Sequence, residues 1–559
     1  MTHAPTWSRR LLLLGAAATL LIIPNVANAQ SVGDSVGTIE VANPRLRGDG
    51  TMSPAAAAAM NRGALWLDAD RALKRTANRA ASRSGVGPSL PSEIEQVGGS
   101  RKRNAPIVVS ALNFAGQTDS GSTPPDTTGA IGTTRFIQLV NRRFGIYNRS
   151  TGALISSGTL NTLAGLASSV NSFDPQIIWD RSTNRFYYVM DSVFSSTNNK
   201  LAFGFSRTSS PSNGTTDWCH YTYTPLDAAR FPDYPKLGDS RYFIIVGVNS
   251  FKPNFVGSDL IAISKPPSGS TCPMEIFKAG TVLNLRDTAN AQVFTPVPAN
   301  QVDTSSTGYV VARNLALPST RLWFYNVTRN SSTGFPIFGG PRGVTVTSYT
   351  VPPDANQPPN NPPFGYNPLL DTLDARPTQA VQGVNPDRGT FSFWTQHTIK
   401  HPTQNVAAVR WYEINPAPAV PVILRTANVQ SNTAHLFNAA ISSDRTGSAF
   451  VDSFVVQYSV SSSTISPRIV AGSSFSGGAL SFLLVRNGVG PYRDFSCPNA
   501  GDPFCRWGDY SGATPDPLPP RNRPRLDRGA VWGTNQFSGV ANPSAATANW
   551  RTQIFNLQP

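Results

Sequence analysis

The chain has 559 residues and a formal net charge of +15, although only 14% of its residues are charged. Its surface must therefore be covered mainly by Ser, Thr, Asn and Gln. Subtracting the +2 of residues 1–29 and the +4 of residues 30–105 leaves +9 for residues 106–559. Such a basic excess favours anionic partners such as acidic glycans or a bacterial envelope, unless it reflects only a solubility preference.

The first 29 residues have the pattern of an export signal. Arg9 and Arg10 precede an apolar run from Leu11 to Ile23, and Ala27 and Ala29 frame a small-residue cleavage site. The run is too short to span a bilayer, so we expect no transmembrane segment. The sequence therefore predicts a secreted or periplasmic protein whose mature chain begins at Gln30. A secreted chain with its aromatic residues mostly in apolar strands is a poor match for nucleic-acid binding.

Four cysteines fit an oxidising compartment and allow three pairings. Proximity in the sequence favours a disulfide between Cys497 and Cys505, which leaves Cys219 with Cys272. The chain has no Cys-x-x-Cys and no Cys/His cluster with zinc spacing, so we expect no structural zinc.

Residues 30–105 differ in composition and sequence pattern from the rest of the chain. Ser53 suits a helix N-cap, Pro54 the first helical position and Gly85 a stop, which predicts a helix from about Pro54 to Arg83. The Gly-, Pro- and Ser-rich stretch that follows, with the basic run at Arg101, predicts a linker or pro-segment.

From residue 106 to residue 559 the chain consists of short β-branched and aromatic runs separated by Gly, Pro, Asn and Asp. One shape recurs seven times: a polar opener, a short run, a turn and a stronger β run that ends on a polar closer. The period suits a propeller blade of four antiparallel strands. The last unit supplies only three strands, so we predict a seven-bladed all-β propeller in which the strand after Pro106 completes the seventh blade. Such closure removes exposed sheet edges.

The inner strand of each blade should start beside the central channel, which predicts a polar ring at the channel mouth. The openers are Asp126, Asp174, Asp233, Gln379, Asn438 and Asp509. The closers, predicted to form a second ring further out, are Asn141, Asp191, Asn249, Asn314, His397, Ser459 and Asn535.

Carboxylates around one opening can bind a cation, orient sugar hydroxyls or act as general acid and base. The catalytic candidates are Asp174, Asp233, Asp509 and His397, and the ligand-binding candidates are Asp126, Asp191, Asn249, Lys236, Asn438 and Arg506. An Asp at such a position often only bonds local backbone N–H groups, and that alternative stays open for each one. His435 also lies near the predicted mouth.

Glu413 is predicted to face solvent from an ordinary strand. We expect no cofactor, although a cation such as Ca2+ at the site is compatible with these residues.

The stretches "FDPQIIWDRSTNRFYYV", "FPDYPKLG" and "RWGDYSGATPDP" resemble motifs of secreted bacterial β-propellers grouped with the sialidase-like propellers. The resemblance implies a propeller and a carbohydrate ligand. It does not extend to sialidase activity. The Asp-box motif of sialidases is matched only imperfectly, in the stretch that begins at Ser442, and neither their Arg triad nor their Tyr/Glu nucleophile pair can be placed in this sequence. We therefore expect a monomer that recognises, and as an enzyme would cleave, an extracellular anionic polysaccharide as a glycoside hydrolase or polysaccharide lyase. The alternative is a non-catalytic envelope or adhesion protein.

Overall fold

The computed structural model describes residues 38–41, 94–97, 107–195, 198–227, 230–252, 254–266, 272–273, 277–359, 368–385, 388–445, 452–497, 504–518 and 529–559. The predicted signal peptide, the predicted helix from Pro54 to Arg83 and most of the predicted linker lie outside these residues.

Seven antiparallel sheets, numbered here as blades 1 to 7 in chain order, form the fold. The predicted seven-bladed propeller is therefore confirmed. Blade 1 has the strands Thr128–Ile131, Arg135–Val140, Arg143–Asn148 and Leu154–Thr159. Blade 2 has Asn171–Asp180, Arg185–Ser195, Asn198–Ser206 and Trp218–Thr224, with Thr38–Val41 added antiparallel at its outer edge. Blade 3 has Phe231–Asp239, Phe243–Phe251, Phe255–Ser264 and Ala279–Val282.

The next three blades repeat this plan. Blade 4 has Val293–Pro298, Gly308–Asn314, Ser319–Arg329 and Pro336–Tyr349. Blade 5 has Pro377–Asn385, Thr390–Lys400, Ala407–Asn415 and Val422–Gln430, with Asn300–Gln301 parallel at its inner edge and Glu95–Val97 antiparallel at its outer edge. Blade 6 has His435–Ser443, Phe454–Ser462, Ile465–Ser474 and Ser481–Arg486.

Blade 7 closes the ring with strands from both ends of the chain. Its inner three strands are Gly512–Pro515, Val531–Ser538 and Trp550–Gln558. The fourth, Val108–Ala115, pairs antiparallel with Trp550–Gln558. The predicted closure by the N-terminal strand is confirmed, and it gives the last blade the same four strands as the others.

A short helix, Leu160–Ala164, follows the outer strand of blade 1 and packs on blade 2. The hydroxyl of Thr159 accepts from the backbone N–H of Thr162 at 3.1 Å, which caps the helix. Gly165 ends it in a left-handed conformation, with φ 64°, that a side chain would disfavour.

The hydrophobic core lies between neighbouring blades, because each sheet is covered on both faces. Trp179 and Tyr188 of blade 2 pack with Phe144 of blade 1 in one such layer. The prediction that Glu413 faces solvent is wrong for the same reason. This side chain is fully buried against blade 6 and is neutralised by Arg388 at 3.0 Å and by Arg425.

Two long connections lie at the end of the ring where the inner strands begin. One joins blade 4 to blade 5 and the other joins blade 6 to blade 7; we call their described residues, 350–359, 368–376, 487–497 and 504–511, the cap. Leu369–Leu370 pairs in parallel with Phe504–Cys505 and links the two connections. The indole of Trp507 donates to Ser459 Oγ at 3.0 Å. Apolar cap residues pack with strand ends of several blades in one buried cluster, so the cap covers part of the axial end of the ring.

Both predicted disulfides are present, Cys219 with Cys272 and Cys497 with Cys505. The second closes a loop within the cap just before Trp507. Disulfides are typical of proteins in oxidising compartments. Among the described residues, no helix has the length and apolar character needed to cross a membrane.

Candidate functional site

The inner strands of blades 1 to 6 are irregular near their start, and this irregularity positions the residues that open them. In blades 2, 3, 4 and 6 the register of the inner strand shifts over two residues, and one of them has a left-handed backbone. These residues are Asp174 (φ 49°), Tyr234 (φ 58°), Thr295 (φ 54°) and Asn438 (φ 49°), and Asp126 (φ 45°) has the same conformation in blade 1. Such backbone strain in non-glycine residues persists only where surrounding contacts hold it.

Two of the closers, Asn141 and Asn249, hold this backbone across blade boundaries instead of forming a separate outer ring. Asn141 of blade 1 accepts from the backbone N–H of Asp174 in blade 2 at 2.8 Å. Asn249 of blade 3 accepts from the backbone N–H of Thr295 in blade 4 at 2.9 Å, and its amide donates to Thr295 Oγ1 at 3.0 Å. We call this contact the blade latch. Because it satisfies a buried N–H at the strained residue, it stabilises both the bend and the packing of adjacent blades.

Seven of the predicted site residues interact at the axial end of the ring beneath the cap, and we call them the axial cluster. They are Asp126, Asp174, Asp191, Asp233, Lys236, Arg506 and Asp509. Every member is between 1% and 6% exposed. The group therefore holds five carboxylates and two cationic side chains in a site that is almost entirely removed from water.

On one side of the axial cluster the carboxylates are held by hydrogen bonds. Asp126 accepts from the side-chain amide of Asn141 at 2.6 Å and from the backbone N–H of Asp509 at 2.7 Å. Arg506 donates to the Asp509 carboxylate at 2.8 Å. Burial alone would lower the pKa of Arg506, but Asp509 and Asp126 outweigh it and raise that pKa. The arginine is therefore a fixed cation already committed to the protein's own carboxylates.

Lys236 is held by aromatic rings. Its Nζ lies 3.4 Å from the ring centroid of Tyr510 and 3.7 Å from that of Tyr234. Within the described residues this amine has no hydrogen-bond partner. Burial lowers the pKa of Lys236, and Asp174 and Asp126 oppose that shift. Cation–π contacts replace part of the hydration that the ammonium has lost.

The other side of the axial cluster groups Asp174, Asp191 and Asp233. One carboxylate oxygen from each lies within 4.8 Å of the others, which is a spacing that a metal ion could bridge. Burial, together with Asp233 and Asp509, raises the pKa of Asp174 to about 7. Burial, Asp174 and Asp233 raise the pKa of Asp191 well above its usual range. Crowded carboxylates of this kind disfavour one another's ionised form.

The remaining predicted site residues lie apart from these carboxylates or support them. Asn249 forms a blade latch, as described. Asn438 donates to Asn535 Oδ1 at 3.2 Å at the start of blade 6. His397 is 1% exposed, and its polar partners are Ala375 O at 3.0 Å and Tyr412 Oη at 3.1 Å. His435 Nδ1 accepts from the backbone N–H of Ala407 at 3.2 Å. Both histidines are therefore buried among the packed strands.

Sequence reasoning missed the aromatic and basic residues beside the axial cluster. Tyr234, not Asp233, has the opener position in blade 3, and its hydroxyl donates to Asp509 O at 2.6 Å. Tyr510 donates to Pro175 O at 3.0 Å. The guanidinium of Arg376 lies 4.7 Å from the Tyr234 ring centroid. Aligning "FDPQI" with "DYPKL" in the printed sequence places Tyr234 opposite Asp174, so the signal for Tyr234 was present.

Comparisons with known proteins give a fold likeness only. No protein-family model matches the sequence and no curated protein matches it. Among solved structures, an exo-β-1,3-galactanase from Clostridium thermocellum is 9% identical over 68% of this chain and 81% of its own, with a TM-score of 0.29. An endo-1,5-α-L-arabinanase from Thermotoga petrophila is 9% identical over 79% and 99%, with a TM-score of 0.27. The WD40 domain of SCAP from fission yeast is 10% identical over 80% and 97%, with a TM-score of 0.33.

Several structural neighbours are therefore carbohydrate-active enzymes, but the WD40 domain is matched at least as well. Identities and TM-scores of this size carry no argument about what this chain binds or does. The functional argument has to come from the side chains of the axial end.

Proposed function

We propose that this protein is exported and recognises an anionic extracellular polysaccharide through the axial end of the propeller that carries the cap. The observation that supports it most is the convergence of charged and aromatic side chains from several blades at that end, where Tyr510 contacts Lys236, and where burial lowers the pKa of Lys236 and Asp174 opposes that shift. Groups with strongly perturbed pKa values cluster at functional sites more often than elsewhere. The net charge of +9 over residues 106–559 favours an anionic ligand.

Burial favours recognition over cleavage. The four predicted catalytic residues, Asp174, Asp233, Asp509 and His397, are each between 1% and 5% exposed. A general acid or base must reach the atom that it protonates or deprotonates. Side chains as buried as these four are not accessible to a polysaccharide chain. The ligand would instead contact the partly exposed groups around the cap, and the axial cluster would hold their backbone in place.

Arg142 is the residue best placed to contact an anionic ligand. It lies in the turn between the second and third strands of blade 1, at the axial end of the ring, between Asn141 and the start of the third strand. The side chain is partly exposed, and it donates to Gly121 O at 3.3 Å. A guanidinium at such a site can bind carboxylate or sulfate groups in a bidentate manner.

A glycan array with matched charge variants tests the proposal. The wild-type protein is expected to bind acidic polysaccharides in preference to neutral ones, and to lose affinity as salt rises. Arg142→Asn should weaken that binding by about tenfold, in line with the loss of one charge-assisted contact. Asn tolerates the left-handed backbone found there (φ 71°).

The matched control is Arg181→Asn, in an exposed turn at the opposite end of the ring between the first two strands of blade 2. It removes the same charge and should leave binding unchanged. The proposal is overturned if acidic glycans are not bound, or if the two variants weaken binding equally. Product analysis on any bound glycan then decides between recognition and cleavage.

A further inference from the structure

The most unusual feature of the axial cluster is Asp191, whose carboxylate accepts no hydrogen bond of normal geometry from the part of the chain that the structure describes. Asp191 is 1% exposed, and neither of its oxygens has a hydrogen-bond partner among the described residues. A buried carboxylate without donors is costly, because it has lost its hydration without replacement. Its position therefore requires an explanation.

The equivalent positions in neighbouring blades show what Asp191 does not do. Asp191 pairs with the residue just before the opener of its blade, as Asn249 does in blade 3. Asn249 makes a blade latch to the next opener, and so does Asn141 in blade 1. Asp191 should latch the backbone N–H of Tyr234 in the same way. The Tyr234 N–H is near enough to oppose the rise that burial causes in the pKa of Asp191, but it makes no hydrogen bond of normal geometry with either carboxylate oxygen. The latch seen in blades 1 and 3 is therefore not completed here.

The Asp191 carboxylate is directed instead towards Asp174 and Asp233, with one oxygen of each residue within 4.8 Å of the others. The two cationic side chains of the axial cluster contact other groups. Lys236 is stacked on Tyr234 and Tyr510 without a hydrogen bond. Arg506 donates to Asp509 on the other side of the axial cluster.

We propose that Asp174, Asp191 and Asp233 bind one calcium ion where blades 2 and 3 meet. Oxygen-only ligands select hard cations, and calcium is bound at about 2.3–2.6 Å, so ligand oxygens on one ion lie up to about 4.8 Å apart. The three carboxylates meet that limit. They come from the first two strands of blade 2 and the first strand of blade 3. The ion therefore ties together two blades at the boundary where the blade latch is missing.

Metal content and thermal stability of the purified protein test the site. Wild-type protein dialysed against about 1 mM calcium, a concentration suited to extracellular calcium modules, should hold one calcium per chain in excess of the free calcium of the dialysate. Its melting temperature should rise with calcium in a saturable way and fall on addition of a chelator. Magnesium, which needs shorter and nearly octahedral ligation, should give a smaller shift at the same concentration.

Asp191→Asn is the decisive variant, because Asn already occupies this position in blades 1 and 3. It is expected to fold, to lose at least about tenfold in calcium affinity, and to have a calcium-free melting temperature equal to or above that of the wild type. The control is Asp287→Asn, a buried Asp that accepts from the backbone N–H groups of Ala289 and Ala291 in a turn. It should keep the full calcium response.

Two results would overturn the proposal. One is a wild-type protein with no saturable calcium binding. The other is an Asp191→Asn variant whose calcium response matches that of Asp287→Asn. If Asp191→Asn does not fold, the wild-type metal content still decides the question, and Asp233→Asn replaces it as the variant. Glycan binding is measured separately through Arg142→Asn, so each proposal can fail without the other.

Discussion

The histidine predicted to act as a base, His397, should show its burial through the pH dependence of stability. Its Nδ1–H donates to Ala375 O, so the Tyr412 hydroxyl donates to Nε2. Burial, followed by Arg410, lowers the pKa of His397 to about 3. The folded protein therefore keeps this ring neutral at pH values where an unfolded chain would protonate it.

The sign and size of the effect follow from linkage. Above about pH 6.5, His397 is neutral in both states and contributes no pH dependence. Between pH 6.5 and pH 3 the unfolded state binds a proton that the folded state does not, so the free energy of unfolding falls as the pH falls. Each pH unit costs about 1.4 kcal/mol, and at pH 5 the loss is about 2 kcal/mol.

The variant His397→Gln isolates this contribution, because the raised pKa values of the axial carboxylates act on variant and wild type alike. At pH 7.5 the substitution should destabilise by about 1–3 kcal/mol through the disturbed hydrogen bonds. At pH 5.0 that difference should shrink by about 2 kcal/mol, since only the wild type carries the histidine penalty. Urea unfolding followed by tryptophan fluorescence at both pH values measures it.

Ser459→Ala is the matched control. Ser459 pairs with Phe437 in blade 6 as His397 pairs with Pro377 in blade 5, and it does not titrate. The cost of its replacement should be the same at pH 7.5 and pH 5.0. A His397→Gln cost that also stays constant would refute the reasoning, because it would mean that His397 titrates as it does in an unfolded chain.

Three further outcomes are expected. Replacing Cys497 and Cys505 together by Ser should lower the free energy of unfolding by about 2–3 kcal/mol, the entropy of a short closed loop; free thiols in the unreduced wild type, detected by alkylation, would contradict the premise. Asn249→Leu should cost about 1–3 kcal/mol in denaturant unfolding, because it leaves the Thr295 N–H buried without a partner; an unchanged midpoint would show that the blade latch is dispensable. N-terminal sequencing of exported protein should begin at Gln30, and material that begins at Met1 would disprove cleavage of the signal.

The cap explains why a polar axial end can be so enclosed in this molecule. Two connections, one entering blade 5 and one entering blade 7, are joined by their own short parallel pair, and the Cys497–Cys505 disulfide closes a loop within the second of them. Gln357 donates to Tyr492 O at 2.9 Å across the two connections. The position of each is visible in the sequence as a Pro-rich or Cys-containing break between repeats, but their mutual contact is not.

The sequence by itself determined the number of blades and the closing strand, and the proximity of the cysteines favoured both disulfides. Strand periodicity, turn residues and repeat spacing are local, and a repeat that lacks one strand near one terminus predicts where the missing strand comes from. The openers were also predictable as a group, because inner strands of a closed ring begin at one axial end. Asp126, Asp174 and Asp509 do interact there.

Only the tertiary structure decided what those residues do. A two-residue irregularity in an inner strand moves each side chain to another direction, and it depends on latches from the previous blade that no local pattern encodes. At the same closer position, Asn249 of blade 3 forms a blade latch, whereas Asp191 of blade 2 is a carboxylate without a hydrogen bond of normal geometry to the described residues. The neighbouring side chains differ between the two blades. The burial of Glu413 and His397 could not be predicted from the sequence either. Their strands have no distinctive pattern, and it is the packing of one blade on the next that removes both side chains from water.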